Sequence, residues 1–162
     1  MNWAAIAILA FVTLQRLAEL ALSQRNMKRL LARGAHEVAP EHYPFMVALH
    51  ATWLAVLWFF GPGPPIKVVP LILFLLLQLG RVWVIATLGE RWTTRIIVLP
   101  AEPLVTSGPY RWVNHPNYLI VIGEFAVLPL VFGLPMVAIV FSLLNAAILV
   151  VRIRAENKAL GR

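Results

Sequence analysis

The chain contains no cysteine and very little charge for its length. The missing cysteine excludes disulfides, thiolate metal sites and cysteine nucleophiles. Only 13% of the 162 residues are charged while 60% are apolar, and a soluble domain of this size cannot cover its surface with so few charges. The glycine-rich G-x-G-x-x-G loop of a soluble Rossmann domain is also absent. These absences make a membrane protein the first prediction.

Five apolar segments dominate the sequence, at 2–22, 43–60, 66–88, 118–132 and 134–151. A run of ~20 apolar residues is long enough to cross a bilayer as a helix. The fourth segment is short, at ~22 Å for a rise of about 1.5 Å per residue. A Phe-Gly-Leu-Pro break joins the last two segments and predicts a tight helical hairpin. We therefore predict an all-α integral membrane protein with about five transmembrane helices. It is one domain over residues 1–162, in which 1–88 form three N-terminal spans.

The basic residues predict the orientation of these helices. All of them except Arg16, Lys67 and Arg81 lie in the first loop, in the loop 89–117 or in the C-terminal tail. With five spans these three segments share one face, which the positive-inside rule makes cytoplasmic. We expect the N-terminus outside a bacterial plasma membrane and the C-terminus inside. The first segment lacks a basic n-region and a cleavage site, so we expect a retained helix. Basic residues placed between apolar runs favour topology over nucleic-acid binding.

Several polar side chains interrupt the apolar segments and need partners or a function. A charge at the bilayer centre costs roughly 3 kcal/mol or more. Arg16 and Glu19 are spaced to pair on one helix face, and we expect Arg81 to pair with Glu124 between helices. Two interpretations of Glu124 stay open. It braces the loop, or it lines a cavity reached from the cytoplasm, together with Arg81 and Arg95. The other polar residues inside the segments are Gln15, Gln78 and Asn145.

Residues 107–124, SGPYRWVNHPNYLIVIGE, place a polar loop directly before an apolar helix. Ser-Gly-Pro predicts a turn, Pro116 suits the first helical turn, and Asn114 or His115 occupies the cap region. Capping does not explain the crowding of aromatic and polar side chains at this point, namely Tyr110, Arg111, Trp112, His115 and Tyr118. The free N–H groups of a helix start suit a polar ligand. In the tail, Arg152 and Glu156 are spaced for a surface salt bridge. We therefore predict a binding site formed by the loop 89–117 and the tail.

Two motifs in this region carry a resemblance to a known family. LVTSGPYRWVNHPNYL, followed after a hairpin by RIRAENKAL, resembles the isoprenylcysteine carboxyl methyltransferase family of integral-membrane, S-adenosylmethionine-dependent enzymes. That family has a G-x-Y turn, an R-H-P-x-Y helix start and a later R-x-x-x-E-E-x-x-L. The resemblance covers roughly residues 80–160. The first three segments are similar to a short bacterial branch that looks like the alkylpyrone-methylating enzymes acting beside type III polyketide synthases.

The resemblance implies roles for individual residues. It implies that S-adenosylmethionine contacts Glu102, Pro103, Leu104, Val105, Tyr110, His115, Pro116, Asn117, Tyr118 and Glu156. It implies that Arg152 orients the acceptor, with His115 as a further catalytic candidate for accepting a proton. The sequence departs from the family pattern at Asn114, where the family has arginine, and at Asn157, where it has a second glutamate. No metal-ligand cluster is evident.

The expected activity is methyl transfer to an acidic oxygen of a lipophilic acceptor drawn from the membrane. Because no general base is evident, an acceptor that is already an anion fits best. An alkylpyrone enolate, with a functional link to a type III polyketide synthase, is the leading candidate, and an isoprenylcysteine carboxylate is the alternative. Two further interpretations stay open: a nicotinamide-dependent sterol-type reductase, and a small transporter that uses Glu124, Arg81 and Glu19 as a coupling relay.

Overall fold

Five α-helices form the bulk of the computed structural model, which describes residues 2–100 and 102–161. They are α1 (Trp3–Ala32), α2 (Tyr43–Phe60), α3 (Val68–Leu88), α4 (Pro116–Val131) and α5 (Pro135–Leu160). By length and composition, α1, α2, α3 and α5 are each able to cross a membrane, and α4 is a shorter apolar helix. The predicted all-α membrane fold is confirmed.

The first and last helices extend well beyond the apolar segments that predicted them. The Asn2 side chain accepts hydrogen bonds from the backbone N–H groups of Ala4 and Ala5, which fixes the start of α1. The helix then continues through the basic residues expected in a loop, because SQRNMKRLLA consists largely of good helix formers. The tail likewise continues α5, which is capped after Leu160 by Gly161 in the left-handed conformation. Much of the first loop and of the tail, which were predicted to lie on the cytoplasmic face, is therefore helical.

The loop between α3 and α4 is more ordered than its composition predicts. Its strand β2 (Ile97–Val98) pairs antiparallel with β1 (His36–Glu37) from the segment between α1 and α2. Short 3₁₀ turns at Gly89–Arg91 and Gly108–Arg111 fold the remainder. The sequence did not predict this strand pair, because two residues per strand are too short to show an alternating pattern.

The hydrophobic core lies in the half of the bundle away from this loop. Trp53 stacks on Phe125 with ring centroids 4.5 Å apart, and both are buried against α1 residues such as Leu9. The outer surface is also apolar, since Phe59, Leu79 and Leu143 are each more than 65% exposed. Apolar residues on both the inside and the outside fit a bundle surrounded by lipid. The predicted hairpin is confirmed: α4 and α5 are joined through Gly133, whose φ is +69°.

Candidate functional site

A glycine turn positions the polar loop against the end of α3. Gly108 has a φ of +56°, and a Cβ at this position would lie 2.4 Å from Oγ1 of Thr87. Glycine is therefore required both by the backbone conformation and by the close approach to the helix. The turn leads directly into Tyr110, which lies half-buried beside the start of α4.

The start of α4 is connected by hydrogen bonds to the end of α5. The N-cap is His115, although its side chain makes no capping bond, and Pro116 follows in the first turn. The Nε2–H of His115 donates to Oδ1 of Asn157 at 2.9 Å. The Tyr118 hydroxyl donates to Oε2 of Glu156 at 2.6 Å. The two motifs that carry the sequence resemblance are thus in direct contact, and Asn157, a departure from the family pattern, takes part.

A polar cavity lies between this junction and the loop. Its volume is about 110 Å³. Among the predicted site residues it is lined by Arg95, Tyr110, His115, Asn117, Tyr118, Arg152 and Glu156. Oδ1 of Asn117 is buried and has no hydrogen-bond partner in the described structure. Asn114, predicted as a possible cap, lines this cavity instead. Most of the predicted binding residues therefore meet at one place.

Burial changes the acidity of one of these residues. Tyr110 is removed from water beside the Glu156 carboxylate, and the burial, more than the negative charge, raises the pKa of its phenol above the usual value. The phenol therefore stays neutral through physiological pH and is available as a hydrogen-bond donor to a ligand in the polar cavity.

The segment 102–105 is held by ion pairs at the surface and is not part of the polar cavity wall. Glu102 forms ion pairs with Arg33 and Arg91 at the surface, and the carbonyl of Pro103 accepts a bond from Arg91 at 2.7 Å. These bonds hold the segment, including Leu104 and Val105, outside the walls of the polar cavity. Pro116 is buried in the first turn of α4 and is not part of the cavity wall either. None of these five residues lines the polar cavity, and their contact with a cofactor stays a prediction.

Arg152 is a buried cation with an unusual set of partners. Its side chain donates to the carbonyl of Thr94 and to the sulfur of Met46, each at 2.9 Å. Its Nε is buried and unpartnered. Among the described ion pairs none joins Arg152 to a carboxylate. The predicted surface salt bridge with Glu156 is therefore wrong, because Glu156 is held by Tyr118. A buried guanidinium without a counter-ion is suited to binding an anion.

A second, apolar cavity of about 260 Å³ lies deeper between α1, α2, α4 and α5. Leu17 and Val47 line it and are also 58% and 39% exposed on the outer surface. The cavity therefore opens sideways between α1 and α2. It shares Trp92, Asn117, Tyr118 and Arg152 with the polar cavity. The two cavities meet at the buried arginine.

A network of buried charges lies at the inner end of the apolar cavity. Glu124 accepts bonds from Arg16 at 2.7 Å, from Gln78 at 2.9 Å and from both Nε (2.9 Å) and Nη2 of Arg81. Arg16 also pairs with Glu19 at 2.7 Å. Both predicted ion pairs are confirmed. Arg81 lines the apolar cavity, whereas Glu124 lies behind the wall because its carboxylate faces these partners. These bonds join Glu124 to α1 and α3, so it braces the helices rather than the loop, and its role as a cavity residue stays a prediction.

Sequence reasoning missed the residues that anchor the loop to α1. Asn26 donates to the carbonyls of Gly89 and Trp92, at 3.1 and 2.8 Å. The backbone N–H of Thr94 donates to Oγ of Ser23 at 2.9 Å. The sequence signal that could have revealed these anchors is the pair Ser23 and Asn26, two small polar residues three positions apart on one face of a helical extension. These bonds fix Thr94, and through it Arg152.

Comparison with known proteins identifies the family to which the chain is similar. The model of the isoprenylcysteine carboxyl methyltransferase (ICMT) family matches residues 70–162. The chain is 36% identical over 173 residues to the uncharacterized protein YpbQ of Bacillus subtilis, covering 99% of this chain and 96% of that protein. It is 29% identical over 155 residues to an uncharacterized protein of Haemophilus influenzae, covering 90% and 88%. No solved structure matches the chain significantly.

Proposed function

This chain belongs to the isoprenylcysteine carboxyl methyltransferase family of membrane methyltransferases, and we propose that it methylates an acidic oxygen of a lipophilic acceptor with S-adenosylmethionine. An alkylpyrone from a type III polyketide pathway is the favoured acceptor. The observation that carries the proposal is the meeting of a polar cavity and a laterally open apolar cavity at Arg152. A polar cofactor and a membrane lipid are thereby able to reach one point from different phases.

The residues of the polar cavity suit S-adenosylmethionine. The Glu156 carboxylate is an acceptor for ribose hydroxyls or for the amino group. The unpartnered Oδ1 of Asn117 is a further acceptor that needs a donor. The neutral phenol of Tyr110 offers a donor, and His115 completes the wall from the start of α4. When bound, the cofactor supplies an electrophilic methyl group on a sulfonium.

Arg152 is the residue that orients the acceptor. Its buried guanidinium has a free Nε–H and no carboxylate partner among the described residues, so an enolate or carboxylate oxygen would complete its hydrogen bonding. Because Nε2–H of His115 is engaged with Asn157, only Nδ1, which lies 3.6 Å from Oε2 of Glu156, is left as a proton acceptor. An acceptor that arrives as an anion needs no base, and the remaining demand on the protein is positioning.

The acceptor tail occupies the apolar cavity in this proposal. The opening between Leu17 and Val47 faces the lipid-exposed surface, so a long chain enters sideways from the bilayer. Its polar head then lies at the mouth of the polar cavity, beside Arg152. The route explains why a cavity with apolar walls is continuous with a polar one.

The test is methyl transfer from labelled S-adenosylmethionine by the purified protein in detergent. A long-chain alkyl-4-hydroxypyrone and farnesyl-cysteine are offered side by side. Label in the pyrone ether is the expected result. Label in the cysteine ester instead would keep the activity and replace the acceptor, and label in neither, with no cofactor binding by calorimetry, would refute the proposal.

Two variants separate the roles of the cavities. We expect Glu156→Gln to raise the KM for S-adenosylmethionine at least tenfold, and Arg152→Met to lower kcat/KM for the acceptor at least a hundredfold with nearly unchanged cofactor affinity. Arg154→Met, at an exposed position two residues away, is the matched control and should behave as wild type. Equal effects of both variants on both substrates would contradict the assignment.

A further inference from the structure

The apolar cavity contains a second group of polar residues, here called the deep level, that the proposed reaction does not use. Asn145 lines this cavity and is 2% exposed, yet its amide forms no hydrogen bond with any described residue. Arg16 lines it too, and its Nε is buried without a partner. His50 is the third member, and its Nδ1–H donates to the carbonyl of Met46 at 2.8 Å. Because Nδ1 carries the proton, Nε2 of His50 is left as an acceptor.

Asn145 lies deep in the bundle, away from Arg152. Asn145 and Arg152 line the same cavity from the same helix, two turns apart, which corresponds to about 10 Å along the axis. Leu149 lies between them on that face and also lines the cavity. From Arg152 inward along α5 the cavity wall is therefore polar, then apolar at Leu149, then polar again at Asn145.

A plain alkyl tail is a poor match for the deep level. It would cover the Asn145 amide without forming a hydrogen bond, and an unmade bond in an apolar site costs free energy. An oxygen atom within the tail would fit instead. A ketone accepts from the amide or the guanidinium, and a hydroxyl in addition donates to Nε2 of His50.

We infer that the acceptor carries a second oxygen function, a ketone or a hydroxyl, in its lipophilic tail about 10 Å from the methylated oxygen. Asn145, Arg16 and His50 form the subsite for it. The inference rests on the proposed function in one respect: the head group is placed at Arg152.

Direct binding tests the inference without relying on turnover. A saturated alkyl-4-hydroxypyrone and a matched series, in which one ketone or hydroxyl is moved along the tail, are titrated calorimetrically into the wild-type protein in detergent. We expect one narrow range of positions to bind about tenfold more tightly than the saturated parent, the gain of one good hydrogen bond. In Asn145→Leu the ratio of these two affinities should fall to about one. Ser142→Ala, one turn away on α5 and outside the cavity lining, should keep it.

The possible outcomes separate the inference from the activity. A tenfold preference that disappears in Asn145→Leu supports the subsite even if no methyl transfer is detected, in which case the proposed function fails alone. Methylation of the saturated pyrone with no dependence on oxygen position overturns the inference alone. No binding of any member of the series overturns both. The wild-type series is informative even if Asn145→Leu does not fold.

Discussion

Replacing Glu124 with glutamine tests whether the buried charges are a structural brace. The carboxylate is 2% exposed and is bonded to Arg16, Gln78 and Arg81. Glutamine keeps the size of the side chain but removes its charge. Two arginines then share the single carboxylate of Glu19, which lies 2.7 Å from Arg16 but 3.5 Å from Arg81.

The expected loss of stability follows from this imbalance. Breaking a buried ion pair by removing one partner costs about 3–5 kcal/mol, because the remaining charge is buried without compensation. Glu90→Gln is the matched control, since Glu90 pairs with Arg29 at the surface and both side chains are more than half exposed. A surface pair of this kind contributes about 0–1 kcal/mol.

The assay is reversible unfolding of the purified protein in mixed micelles of mild detergent and dodecyl sulfate, followed by helical circular dichroism. The double variant Arg81→Gln with Glu124→Gln restores charge balance, leaving Arg16 with Glu19. We expect its loss in free energy of unfolding to be at least 1 kcal/mol smaller than the sum of the losses of the two single variants. Additive losses, or a loss for Glu124→Gln no larger than for Glu90→Gln, would refute the brace. A stable Glu124→Gln protein that has lost proton-coupled efflux would instead favour the transporter interpretation.

Two further predictions concern the loop. Gly108→Ala should lower S-adenosylmethionine affinity at least tenfold in calorimetry, because its Cβ collides with Thr87. The control Gly34→Ala, where φ is also positive but no heavy atom lies within 4 Å, should cost only backbone strain of about 1 kcal/mol and leave affinity unchanged. Asn26→Ala should destabilise the loop by about 1–3 kcal/mol, because two loop carbonyls lose their donor. Trypsin should then cut the loop at least fivefold faster than in wild type or in the exposed variant Gln24→Ala, and unchanged protection would contradict the anchoring role.

The sequence predicted the existence of the five helices better than it predicted their lengths. Hydropathy identified five apolar segments, and Gly133 with Pro135 identified the hairpin, because both signals are local in the chain. The extension of α1 past its apolar part was missed, since a polar helix surface carries no hydropathy signal. What stabilises that extension is burial of Ser23 and Asn26 against the loop.

The motifs predicted part of the polar cavity. Motifs correctly placed Tyr110, His115, Tyr118 and Glu156 in one polar cavity. The resemblance also implied that residues 102–105 contact the cofactor, and these residues lie outside the wall of this cavity. Surface pairing of Glu102 with Arg33, which is distant in the chain, turns that segment away.

The sequence by itself determined the membrane character, the helical hairpin and the family, because composition, periodicity and motif spacing are properties of the chain alone. Only the tertiary structure decided that Arg152 is buried and lacks a described carboxylate partner, that Glu124 pairs with Arg16 and Arg81 from two other helices, and that Asn145 faces a cavity. These outcomes depend on which side chains from different helices approach within hydrogen-bonding distance, and one-dimensional spacing does not encode that geometry.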